Sequence, residues 1–169
     1  MKNEDSKVEM TFDDYEIGVK NVLQSKGNYL TDFQIKRKET LQGIDGEYEM
    51  DVVARFTILD GAEIIVLIEC KHHKNAIKRG LVQELQSKLS SVGAHKAMMF
   101  TTAKYQSGAI EFAKVHGISL VRFIDSELTY VVKAKLVDAV EMTIDDDGNT
   151  SHKVLCEGNA LLEEDIFDS

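Results

Sequence analysis

The chain has no proline, no tryptophan and only two cysteines in 169 residues. Cys70 lies inside an aliphatic stretch, so neither a disulfide framework nor a zinc cluster is expected, and Cys70 and Cys156 read as reduced thiols. Long hydrophobic runs are also missing. The longest aliphatic run is Ile64 to Ile68, far short of the roughly 20 residues of a membrane-spanning helix. The opening Met1-Lys2-Asn3-Glu4-Asp5-Ser6-Lys7 is too charged for a secretory signal, so a cytoplasmic protein with no membrane partner is expected. At 43% hydrophobic and 29% charged, the chain has the make-up of a soluble globular protein with a sizeable core.

A basic excess is absent too, since the formal net charge is −9. The balance is uneven along the chain. Residues 1–135 carry 19 acidic and 19 basic side chains, whereas residues 136–169 carry 10 acidic and one basic, so the whole excess belongs to the C-terminal segment. Within the body, residues 43–69 hold seven acids against Arg55, and residues 71–104 hold seven Lys or Arg against Glu84. An acidic rim followed by a basic surface suits a protein that binds a metal and phosphates, because phosphate contacts supply most non-specific affinity for nucleic acid. A solvated helix face accounts for the basic run equally well.

The rest of the chain is organised around Glu63-Ile64-Ile65-Val66-Leu67-Ile68-Glu69-Cys70-Lys71. Its aliphatic centre reads as a strand buried on both faces, where an ionised side chain costs several kcal/mol unless paired or metal-bound. Side chains two apart on a strand share a face, so Glu69 and Lys71 emerge side by side. The preceding segment, Tyr48 to Leu59, also reads as a strand, and Asp60-Gly61 is a hairpin signal that sets Asp51 across from Glu69 and Lys71. A strict two-residue turn would turn Asp51 to the wrong face. A one-residue bulge or an odd loop would bring it onto theirs, and such a bulge is expected. Two carboxylates and a lysine so placed suit metal-dependent phosphodiester cleavage: the acids hold a hard divalent cation, and the lysine orients or activates water and offsets charge on the phosphorane.

Glu49-Met50-Asp51, Asp60-Gly61 and Ile65-Val66-Leu67-Ile68-Glu69-Cys70-Lys71 together resemble the core of the PD-(D/E)xK nucleases, most closely the Mrr-like type IV restriction endonuclease group. Tyr15-Glu16 in the first predicted helix is similar to the acidic position of that group, and Val82-Gln83-Glu84-Leu85 to its glutamine-bearing helix. The resemblance covers roughly residues 12 to 125. Met50 stands where the family name has proline, and the lead-in Gly43-Ile44-Asp45-Gly46-Glu47 is altered, which leaves Glu49 as a rival to Asp51. The resemblance implies hydrolysis of DNA with Mg²⁺ or Mn²⁺ held by Asp51, Glu69 and the Cys70 carbonyl. Lys71 would act on the water, Gln83 or Glu16 would support the arrangement, and Glu49 would be a ligand of second rank. It also implies action as a homodimer or with a separate recognition subunit.

The order of predicted elements agrees. A helix starts near a Thr11 cap and runs to about Lys26, a cationic edge strand spans Asp32 to Leu41, and the hairpin follows. Then come a helix from about Ala76 to Ser91, a strand at 96–102, a helix from Tyr105 to His116 and a strand at 118–124. Adjacent His72 and His73 point to opposite strand faces and do not chelate one ion, so loop or phosphate-contact roles are expected. The fold class is an α/β restriction-endonuclease-like sandwich with a mixed central sheet flanked by helices, plus a C-terminal β-hairpin extension. The domains read as 1–126 for the nuclease-like body and 127–169 for the extension. In the extension, Thr129 to Val137 and Ala139 to Ile144 are strand-like, Asp145-Asp146-Asp147-Gly148-Asn149 is a turn rather than a calcium loop, and the acidic end is a tail or docking segment. The rival function is a non-catalytic module on the same fold that binds nucleic acid or another protein.

Overall fold

The computed structural model describes residues 10–72, 74–134, 140–144 and 150–154. His73, the turn at 145–149 and the acidic end are outside that set.

Helix α1 (Phe12–Gly27) opens on a reciprocal cap: Thr11 Oγ1 accepts from the Asp14 N–H and the Asp14 carboxylate accepts from the Thr11 N–H, both at 3.1 Å. Three strands follow, β1 (Thr31–Gln42), β2 (Glu47–Ile58) and β3 (Ala62–Lys71), paired antiparallel in sequence order. Helix α2 (Arg79–Val92), β4 (Lys96–Thr101), α3 (Ser107–His116) and β5 (Ser119–Ile124) then add two parallel strands. The sixth strand, β6 (Glu127–Val132), returns antiparallel to β5, so the sheet order is β1-β2-β3-β4-β5-β6. The predicted mixed sheet, the parallel crossovers and the edge position of β1 are all present.

The two faces of the sheet are covered by different helices. Tyr15 and Val19 of α1 pack with Val52, Ile68, Cys70, Phe100 and Val121. Val82 and Leu85 of α2 and Ala109 and Ala113 of α3 pack on the opposite face with Leu67, Met99 and Leu120. Leu67 on one face and Ile68 with Cys70 on the other express the two-residue period of β3, which sends Glu69 and Lys71 to the side of α2.

Three expectations are corrected. The helix after β3 starts at Arg79 rather than Ala76, because the Ile77 N–H and carbonyl are taken by the Lys104 carbonyl (2.8 Å) and the Gln106 N–H (3.0 Å), which hold Ile77 extended. Likewise Tyr105 precedes α3, its hydroxyl donating to the Met99 carbonyl at 2.7 Å. The compact unit runs through Ala134, beyond the 126/127 boundary read from sequence, because β6 pairs with β5 instead of joining the extension. The second unit contains the two-stranded antiparallel pair β7 (Val140–Ile144) and β8 (Thr150–Val154), in the place of the predicted hairpin. Among the described residues, no helix is long and apolar enough to cross a membrane.

Candidate active site

The register of the hairpin decides what faces what. Ile58 pairs with Ala62 across a three-residue loop, Leu59-Asp60-Gly61, in which Leu59 (φ 51°) and Asp60 (φ 56°) are left-handed. The ladder then runs without slipping to Val52 opposite Ile68. Carried one step past that last pair, the same register would set Asp51 opposite Glu69. The expected bulge is thus absent from this ladder, and the odd loop supplies the change of register instead.

At Asp51 the sheet opens. Its carboxylate Oδ2 accepts the Cys70 N–H at 2.6 Å, so a side chain occupies the backbone donor that would otherwise have continued the ladder. On the other edge of β2, Arg37 pairs with Val52 and Glu39 with Met50, while the intervening Lys38 adopts φ 49° and lies outside the pairing. Met50 and Val53, three apart, share one core cluster, a break in alternation centred on Asp51. Because the N–H and C=O of a strand residue address the same neighbour, the Cys70 carbonyl opens onto the same gap as its N–H.

Glu69, 6% exposed, is gripped by two lysines. Lys71 Nζ donates to Oε1 at 2.6 Å and Lys88 Nζ, from α2, donates to Oε2 at 3.2 Å. Lys88 also lies 3.6 Å from Glu84, one helical turn back. On the α1 side of the sheet, Glu16 is 2% exposed and accepts from Arg37 Nη2 at 2.7 Å; the same guanidinium bonds Asp13. Tyr15 stacks on His72 with ring centroids 5.4 Å apart, closing the apolar side of the strand end.

The electrostatics follow from this placement. Burial raises the Asp51 carboxyl to about 6; the Cys70 N–H opposes that shift, and the charges of Glu69 and Glu16 add to it. For Lys71, burial acts to lower the pKa, but the hydrogen bond and charge of Glu69 with the charge of Asp51 outweigh it, and the amine is held above its ordinary value. Lys71 accordingly donates to Glu69 Oε1.

Asp51, Glu69, Lys71 and the Cys70 backbone are brought together, with Glu16 behind them across the sheet. Gln83 and Glu49 are not. Gln83 is exposed, on the side of α2 away from the apolar stripe, and Glu49 is exposed beyond the end of the β2–β3 ladder. The residue of α2 that reaches the cluster is Lys88, which sequence reading missed. A signal was available: Lys88 falls at the i+7 position from Leu81 and i+3 from Leu85, within the apolar stripe, where a charge needs a partner.

Residues 8–127 match the family model Mrr_cat, described as restriction endonuclease. The chain belongs to the Mrr-type restriction endonuclease family. Among solved structures it is similar to the crystal structure of a protein of unknown function, AF1548, at 28% identity with a TM-score of 0.53. That alignment covers 64% of this chain and 57% of the other, so this chain accounts for little more than half the length of that protein. Among curated proteins none matches. The Mrr-type match spans α1 through β5, and so contains Glu16, Asp51, Glu69, Lys71 and Lys88.

Proposed function

We propose that this Mrr-type domain hydrolyses DNA phosphodiester bonds with a divalent cation held by Asp51 and Glu69. The observation that carries the reading is the Asp51 carboxylate on the Cys70 N–H at 2.6 Å, just past the last pair of the β2–β3 ladder, with the Lys71–Glu69 pair on either side of Cys70 in β3. A carboxyl raised to about 6 by burial and by neighbouring acids has reason to bind a cation, which would relieve the repulsion that raises it.

The donor set fits Mg²⁺ or Mn²⁺. No cluster of three or more His, Cys, Asp or Glu side chains occurs among the described residues. Mg²⁺ does not require one, since it is commonly held by one or two carboxylates and keeps waters and substrate phosphate oxygens as its other ligands. Asp51, Glu69 and the Cys70 carbonyl would supply the protein's share, and the cation when bound would polarise the phosphate and acidify a water. The chain's own part is positional. Lys71 donates from its ammonium to a water or a non-bridging phosphate oxygen, and Glu69 fixes the direction of that ammonium. Arg37 and Glu16 keep α1 and β1 braced behind Asp51.

A test is the nicking of supercoiled plasmid in Mg²⁺ and in EDTA by wild type and Lys71→Met. Cation-dependent nicking lost in the variant supports the reading; nicking of equal rate in both sinks it. The second reading, a non-catalytic binding module, is favoured by the full pairing of Glu69 with two lysines. It predicts DNA or protein binding with no cation dependence and no nicking.

A further inference from the structure

We infer that Lys88 sets the affinity of this site for a divalent cation, by occupying Glu69 Oε2 until a cation displaces it and by moving to Glu84 when it does. The inference rests on the proposed cation site and adds a residue and an exchange to it. Three observations on α2 carry it. Lys88 holds the carboxylate oxygen that Lys71 leaves free, at 3.2 Å against 2.6 Å for Lys71. Lys71 makes the shorter bond from the same strand as Glu69, whereas Lys88 makes the longer one from α2. A second partner is already in reach: Glu84, 60% exposed and 3.6 Å from the same ammonium. Lys88 therefore stands between a buried carboxylate and an exposed one, and transfer to Glu84 keeps its charge paired while Glu69 Oε2 becomes available.

The two ends of this exchange respond in opposite directions. Calorimetric titration of the full chain with Mn²⁺ should show Lys88→Met binding about tenfold more tightly than wild type, because a competing charge a few ångströms from the ligand is gone. Lys88→Gln, which keeps a polar head and guards against loss of fold, should show the same increase. Glu84→Gln, which removes the alternative partner, should bind about threefold more weakly, and that loss should vanish in the Lys88→Met background. A lysine that merely staples α2 to the sheet predicts unchanged or weaker binding in both Lys88 variants, and that result overturns the inference. So does an equal effect of Glu84→Gln in both backgrounds, the mark of a general field. Wild-type binding that depends on Glu69 with no Lys88 effect removes this inference alone. No binding in wild type or any variant removes the cation site and the inference together.

Discussion

Two buried carboxylates flank the gap at Asp51, one on each side of the sheet, and they are held in different ways. Glu16 is paired with Arg37, whose planar guanidinium also bonds Asp13, while Lys38 closes the group from outside on the same Asp13. Glu69 is paired with two lysines that arrive from a strand and a helix. Arginine is permanently charged, weakly hydrated and fixed in fork geometry, whereas lysine is a point charge on a flexible stem that returns readily to water. The first cluster is built to stay closed and the second to be opened. Both are felt at Asp51, whose carboxyl they help to raise. On the proposed reading the two acids do distinct work: Glu16 braces α1 against β1, and Glu69 exchanges a lysine for a cation.

The comparison breaks most visibly in activity. Glu69→Gln should reduce plasmid nicking by at least about a thousandfold, the scale of losing a group aimed at transition-state charge. Glu16→Gln should keep the rate within about tenfold. Equal losses would mean that both acids belong to the reaction.

Stability should rank them the other way. Removing the Glu16 charge leaves a largely covered guanidinium with only Asp13, and urea unfolding should show a loss of about 1–3 kcal/mol. Glu69→Gln frees two lysines whose ammonium groups can extend into solvent, and its loss should stay under about 1 kcal/mol.

A pH profile sharpens the role of the gap itself. The Asp51 carboxyl titrates near 6 in the folded chain against an ordinary value of 3.8, so between those values the folded chain binds more protons than the unfolded one. Stability in EDTA should therefore fall as pH rises from about 4 through about 6 and remain lower above that. Asp51→Asn should lack this decline, so its advantage over wild type grows across the same window, as urea midpoints at each pH would reveal. The smallest effect is expected of Gln83→Ala, less than about twofold in nicking, because that exposed side chain lies outside the stripe of α2 that meets the sheet.

Much of this was legible in the sequence because strand chemistry is local. A five-residue aliphatic run, an acid and a lysine two apart, and a turn signal were enough to place Glu69 and Lys71 on one face, and parity required a bulge or an odd loop if Asp51 was to join them, without deciding between the two. What escaped depends on tertiary context. The start of α2 is set by backbone bonds from Ile77 to residues nearly thirty positions later. Strand β6 belongs to the sheet because β5 offers it an edge. Lys88 reaches Glu69 only because α2 packs on the sheet face that Glu69 shares with Leu67, and a family expectation drew attention to Gln83 instead. The left-handed Lys38, where the β1–β2 ladder skips a pair, has no signature in its residue type.

The most direct test of the account is a crystal soaked in Mn²⁺ and mapped by anomalous scattering. The account predicts a peak in the gap between β2 and β3, about 2.1 Å from carboxylate oxygens of Asp51 and Glu69 and from the Cys70 carbonyl, with Lys88 turned to Glu84. A map with no peak there, and with Lys71 and Lys88 both still on Glu69, would contradict it.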